Sequence, residues 1–224
     1  FGLQDQDITF ASENLISFKL NKKNEIQNFS IKSKLKSESI LIDYKSQRIK
    51  KYFSDFKNQI KFSNSHLDLD YKNKKFQYNL KSKYSINDIN ENVSLNVEKK
   101  DNKYFFDLDL DLDSAEINIE ELDYQKKADI KSELNINGIY KDNNEIILKN
   151  INFNEEEKSI IVENLEIGKN DKIKSLDLFR IDIISKNKKE NKLEFKKVNN
   201  NYYLTGSQFD GSKNIKNLLD NSSK

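Results

Sequence analysis

Tyr104-Phe105-Phe106-Asp107-Leu108-Asp109-Leu110-Asp111-Leu112-Asp113 alternates apolar and acidic residues without a break from Phe106 onward. Successive side chains of a strand point to opposite faces, so one face collects Tyr104, Phe106, Leu108, Leu110 and Leu112. The other collects Phe105 and four aspartates. A helix would scatter the same residues around its circumference, so the stretch predicts a half-buried β-strand.

The same period runs outward in both directions. In Phe76-Gln77-Tyr78-Asn79-Leu80-Lys81-Ser82-Lys83-Tyr84-Ser85-Ile86, five of six alternate positions are apolar and those between are polar. Weaker copies stand at 8–10, 15–20, 29–35, 40–44, 60–62, 67–71, 93–97, 115–119, 122–124, 128–136, 146–153, 160–167, 176–184, 193–198 and 202–204. About seventeen short runs therefore follow one another. Turns rich in Asn, Lys and Asp, such as 21–24, 99–102, 141–144 and 186–189, separate them in the manner of an antiparallel meander. Two stretches depart from the pattern. Ile49, Tyr52, Phe53, Phe56 and Ile60 recur at helical spacing, which predicts a short helix or irregular connection near 47–58, and 212–220 places Ile215, Leu218 and Leu219 on one helical face. No linker or composition shift divides the chain, so 1–224 reads as one segment. It begins at Phe1 without Met and reads as part of something longer.

Composition excludes more than it suggests. Among 224 residues, 39 basic and 37 acidic side chains leave a formal charge of +2, and they are interspersed from end to end with only two Arg, Arg48 and Arg180. A nucleic-acid binder would cluster a basic excess. Pro, Cys, Met and Trp are absent, while Ile occurs 26 times, Asn 31 and Lys 37. That skew matches AT-rich codons, and the lack of Cys removes disulfides and thiolate metal sites. No run approaches the ~18 apolar residues of a spanning helix.

Many strands, each apolar on one face, must close into a barrel, fold as a sandwich, or curl as one long sheet around an apolar lumen. Barrels and sandwiches lean on Gly and Pro for corners and bulges, and this chain has five Gly and no Pro. A gently coiling sheet needs fewer, and seventeen strands at ~4.8 Å spacing would run roughly 80 Å. The expected class is thus all-β, a long curled antiparallel meander forming an open apolar groove, with a short C-terminal helical stretch. Its best lining candidates are Phe76, Tyr78, Leu80, Tyr104, Phe106, Leu108, Leu110, Leu112, Ile117 and Ile119. An outer-membrane barrel shares the alternation, but many runs fall short of the ~9–11 residues that a spanning strand needs.

Chemistry-bearing motifs are few. His66 stands alone in a polar turn. Asp109, Asp111 and Asp113 with Glu120 have the spacing of a calcium loop, but Ser114 occupies the glycine position and the intervening residues are Leu, so a solvated acidic face offset by Lys on neighbouring strands is the expected role. No catalytic set, metal site or cofactor motif can be assembled, and no enzyme activity is expected.

Tyr202-Tyr203-Leu204-Thr205-Gly206-Ser207-Gln208-Phe209-Asp210, followed by a stretch ending Leu218-Leu219, resembles the C-terminal ending of AsmA-like proteins of the YhdP and TamB kind, large envelope proteins of Gram-negative bacteria. The local match covers about twenty residues, and the Pro-poor one-sided meander resembles the family's general texture. The resemblance implies a repeating β-groove in the periplasm, anchored to the inner membrane by a segment outside this chain. It implies phospholipid acyl chains in the lumen, carried towards the outer membrane, and adjoining groove segments of the same chain as partners. The alternative is a structural or adhesive extracellular β-protein, a sandwich or solenoid whose apolar face is simply core.

Overall fold

A computed structural model describes residues 9–211 apart from 55, 74, 87, 143, 170, 171 and 200. The strands are β1 (Phe10–Leu20), β2 (Ile26–Asp43), β3 (Gln59–Lys72), β4 (Lys75–Ser85), β5 (Glu91–Lys100), β6 (Lys103–Asp111), β7 (Ile117–Ile119), β8 (Tyr124–Lys126), β9 (Ser132–Lys141), β10 (Glu145–Glu155), β11 (Lys158–Ile167), β12 (Ile173–Ser175), β13 (Leu178–Ile184), β14 (Glu190–Val198) and β15 (Asn201–Gln208). A helix α1 (Gln47–Tyr52) joins β2 to β3, and a one-turn 3-10 helix (Glu120–Leu122) joins β7 to β8. The predicted C-terminal helix at 212–220 lies outside the described residues.

One antiparallel sheet of thirteen strands runs in the order β1-β2-β3-β4-β5-β6-β9-β10-β11-β13-β14-β15, with β12 paired to β11. Among the described residues β1 pairs only with β2 and β15 only with β14, so the sheet is not closed into a barrel. The order is that of a meander with one excursion. Between β6 and β9 the chain leaves the sheet, forms the β7–β8 hairpin, and returns.

Among the described residues the strands number fifteen, where the sequence predicted about seventeen. The runs at 29–35 and 40–44 are one strand, β2, and those at 60–62 and 67–71 are β3. The phase of the alternation slips inside each. In β3 the slip falls at Asn64, whose φ of 52° is left-handed and which sits at a register shift against β4. The expectation that this sheet needs few bulges is therefore corrected, and at Asn64 an asparagine makes the bulge. Of the fifteen described non-glycine residues with positive φ, thirteen are Asn or Asp and none of the described glycines joins them. Their short side chains tolerate the left-handed region at small cost. Asp101 and Asn102, with φ of 49° and 59°, build the two-residue turn between β5 and β6.

Register carries the apolar face from strand to strand. Leu80, Leu95, Leu108, Ile136 and Ile151 form one row across β4, β5, β6, β9 and β10, and Val93, Leu110, Leu134, Phe153, Ile160, Ile181 and Leu193 form another. The opposite face carries Asn79, Asn96, Asp107 and Asn137 in line.

The excursion reveals the curl. Glu121 pairs with Lys51 of α1, beside β3, while the Asp123 carbonyl accepts from Lys186 N at 2.8 Å in the β13–β14 turn. Seven strand spacings separate β3 from β13, about 34 Å if the sheet were flat. Residues two apart in sequence reach both sides, so the sheet bends around its apolar face. Leu112, Ala115, Ile117 and Tyr124 of the excursion are buried there against Tyr84, Val93, Phe153, Ile160, Ile181 and Ile183. Strands of three residues have no independent stability. Burial of Leu112, Ile117 and Tyr124, worth about 1.5–3 kcal/mol for each large apolar side chain, holds them in place.

Candidate functional site: a one-ended apolar cleft

The β10–β11 and β13–β14 turns, α1 and the excursion meet at one end of the sheet. The Ser46 hydroxyl accepts from Ile49 N at 3.2 Å and starts α1, which presents Ile49 and Phe53 inward. Phe53 forms an isolated bridge with Ile117 of β7. Tyr124 crosses edge-on to Phe153, 6.1 Å between ring centres, and its hydroxyl donates to Glu155, which is fully buried and salt-bridged to Lys158 at 2.5 Å. Lys186 Nζ donates to Asn118 Oδ1 at 2.7 Å and Asn187 Nδ2 to Asp123 Oδ2 at 3.0 Å, tying the excursion to the β13–β14 turn.

Lys126 completes the closure. Its side chain has 0% exposure, and Nζ donates to the carbonyls of Asp113 at 2.8 Å, Ala115 at 2.9 Å and Lys127 at 3.0 Å. All three ammonium protons are used, which is what makes a buried cation tolerable. Burial nonetheless pulls its pKa below the ordinary lysine value, opposed by the nearby charges of Glu91, Asp113, Asp129 and Glu116. Glu91 accepts from Ser114 N at 2.6 Å and from the Tyr84 hydroxyl at 3.3 Å, and that hydroxyl also donates to the Asp111 carbonyl at 2.5 Å. Burial, with Glu91 next, pushes the Tyr84 hydroxyl well above the usual phenol range.

Beneath α1 lies an apolar cavity of about 260 Å³. Ile49, Phe53 and Phe56 form one wall, Ile60, Phe62, Tyr84 and Ile86 another, and Leu80, Val93, Leu95, Leu108, Leu110 and Leu112 the sheet side. Leu95 is shared with a wider compartment of about 520 Å³ lined by Tyr78, Val97, Tyr104, Phe106, Tyr140 and Asp142. The two volumes therefore adjoin at Leu95, the wider one bordered by aromatic rings and the inner one by α1. Gly138 permits this packing. A Cβ there would meet the Ile147 carbonyl at 2.4 Å and Phe106 Cζ at 2.9 Å, so the absent side chain is what lets the Phe106 ring lie across β9.

Eight of the ten residues expected to line the groove share the inner face. Leu80, Leu108, Leu110 and Leu112 bound the inner cavity, Tyr78, Tyr104 and Phe106 the wider compartment, and Phe76 stands at the mouth, edge-on to Tyr78. Ile117 and Ile119 do not belong to the main sheet; they are on β7 and pack against its apolar face from above. Reasoning from the sequence missed the walls given by Val93, Leu95 and Val97, whose alternation was visible, and those given by α1, whose helical spacing was visible without its direction. The aspartates also differ from expectation. Asp109 accepts from Asn135 at 2.8 Å and Asp111 from Asn92 at 2.7 Å, so amides and not lysines are the partners that these two find. Asp113 leaves the strand face and accepts from Ser132 N at 2.7 Å, anchoring the start of β9. His66 is exposed, its Nδ1 3.0 Å from the Asn64 carbonyl. Among the described residues no group of three or more His, Cys, Asp or Glu is placed to hold a metal ion, and no helix is long and apolar enough to cross a membrane.

No family model, curated protein or solved structure matches the chain.

Proposed function

We propose that this chain is a non-enzymatic lipid-binding segment of an AsmA-like envelope protein, its apolar cleft carrying phospholipid acyl chains between the inner and outer membranes. The observation that carries the reading is the half-exposed apolar face inside an unclosed sheet. Tyr78, Leu80, Leu95, Tyr104, Phe106, Leu108 and Leu110 line open volume, where a sandwich would place a second sheet. Such a face stands in water only at a cost of about 25 cal/mol per Å², and hydrocarbon removes that cost without needing any polar partner. The resemblance at 202–210 supports a periplasmic setting with a membrane anchor outside this segment. The edges of β1 and β15, unpaired among the described residues, suit adjoining groove segments. The test is lipid extraction and mass spectrometry of the purified folded chain: retained phospholipid is the expected result, and a folded, monodisperse protein free of lipid overturns the reading.

A second reading has its own observation. At the α1 end Leu112, Ala115, Ile117 and Tyr124 are as fully buried as the residues of an ordinary core, as a structural or adhesive β-protein would require. That reading predicts unchanged stability when lipid is stripped.

A further inference from the structure

Ile49, Phe53 and Phe56 wall the inner cavity on the α1 side, and we infer that it is blind there and holds a single fatty acyl chain methyl end first, with Lys99 at the mouth receiving a carboxylate or phosphate head and with α1 setting the longest chain that fits. This rests on the lipid-binding reading above and gives it an orientation and a length limit.

The layers of β5 show the order. Val93 lies beside Leu110, Leu95 between Leu80 and Leu108, Val97 between Tyr78 and Phe106, and Lys99 between Phe76 and Tyr104. Three apolar layers are followed by a cation, which is the sequence of groups along an amphiphile. Lys99 Nζ donates to the Tyr104 hydroxyl at 2.8 Å and lies 4.7 Å from the centre of that ring. Those contacts keep it cationic, its pKa held above the ordinary lysine value chiefly by the hydrogen bond. Asp142 is the charged residue in the lining of the wider compartment, and Lys99 stands one layer further out beside Phe76 and Tyr104, close enough to Asp142 to feel its charge.

Length agrees with this occupant. Six residues separate Val93 from Lys99, about 20 Å along a strand, while an acyl chain fills about 15 Å, half of a bilayer's hydrocarbon core. The two compartments share Leu95 and together fall within the ~300–1,000 Å³ typical of ligand pockets. A peptide does not suit the inner cavity. Among the described residues the one polar side chain in its wall is Tyr84, whose hydroxyl is committed to Asp111 and Glu91, so a peptide's N–H and C=O groups would go unpaired.

The experiment is calorimetric titration of the delipidated, folded chain with saturated fatty acids from eight to twenty carbons and with the matching alcohols. Affinity should climb by up to about fourfold per methylene, reach a maximum, and fall beyond it. Leu110→Phe, which shortens the cavity, should move the maximum to shorter acids, and Phe53→Ala, which opens the floor, to longer ones. Lys99→Gln should weaken acids of every length alike by severalfold and leave the alcohols unchanged. An affinity that climbs to twenty carbons with no maximum, or a maximum that neither floor variant moves, overturns the blind pocket while leaving lipid binding intact. Co-purified phospholipid with no fatty-acid binding does the same. A folded protein that binds neither overturns both readings.

Discussion

Leu110→Asp separates a wall open to water from a buried core, and pH makes the separation quantitative. Leu110 is half-buried, pairs with Val93 and Leu134, and borders the inner cavity. Losing its side chain costs about 2 kcal/mol, the low end for a core leucine, because the site already adjoins empty space. The carboxylate adds a penalty with a ceiling. A carboxyl of ordinary pKa 3.9 can be held neutral for about 4 kcal/mol at pH 7 and for about 1 kcal/mol at pH 4.5. In a dry core the penalty reaches that ceiling, for a total near 6 kcal/mol at pH 7 and near 3 kcal/mol at pH 4.5. The sign follows from a raised folded pKa: its cost is absent below the unfolded pKa and grows as pH rises toward the folded one. In a cleft that water reaches, the aspartate stays ionised and the total stays near 3 kcal/mol at both pH values. Urea unfolding of wild type and variant at pH 7 and pH 4.5 measures the difference. The control is Asp109→Leu on the exposed face, which forfeits the hydrogen bond from Asn135, costs about 1 kcal/mol or less, and leaves lipid retention intact. A destabilisation by Leu110→Asp that shrinks by about 3 kcal/mol on going to pH 4.5 would place position 110 in a dry core and refute the cleft.

Gly138→Ala forces a Cβ to within 2.4 Å of the Ile147 carbonyl, so it should destabilise by about 1–3 kcal/mol in denaturant melts, and combining it with Phe106→Ala should recover little because the backbone clash remains. Alkaline stability should fall above pH 10, because the raised Tyr84 pKa contributes stability that is complete below the ordinary phenol value and is lost above it. Tyr84→Phe should flatten that fall, whereas Lys126→Met should steepen it: the depressed Lys126 pKa contributes in the opposite sense, adding stability as pH rises toward 10.5, and melts between pH 8 and pH 11 read both slopes. The β1 edge leaves Leu15 67% exposed and the β15 edge Leu204 65% exposed. Two apolar edges that are unpaired among the described residues template strand pairing, so Leu15→Lys with Leu204→Lys should reduce self-association in light scattering, and an unchanged signal would clear these edges.

What the sequence made legible was whatever period two controls. The faces of β4 and β6 could be assigned residue by residue because Leu80 and Leu108 sit in unbroken alternation, and the register then brings them to Leu95 with no further information needed. Ile117 and Ile119 alternate just as well, and nothing local distinguishes a strand that joins the sheet from one that folds back over it. That difference lies in the partners: Ile117 finds Lys126 and Phe53, at sequence distances that alternation does not encode. The phase slips hid in a similar way. Asn64 resembles the many other Asn that an AT-rich composition supplies, and only its left-handed φ marks it as the bulge that makes one strand of two runs. The codon skew and the fold are therefore not competing explanations of the 31 asparagines. Mutation pressure supplies a residue that tolerates positive φ, and a chain with five glycines and no proline uses it at most of its described hairpin turns and at Asn64, where a strand changes phase. Lys126 shows the remaining gap. Amid 37 lysines nothing in the sequence separates it from its neighbours, yet it alone has all three ammonium protons bound to backbone carbonyls among the described residues. The carbonyls belong to Asp113, Ala115 and Lys127, so this buried cation exists only once the excursion has folded back, and the closed end of the cleft depends on it.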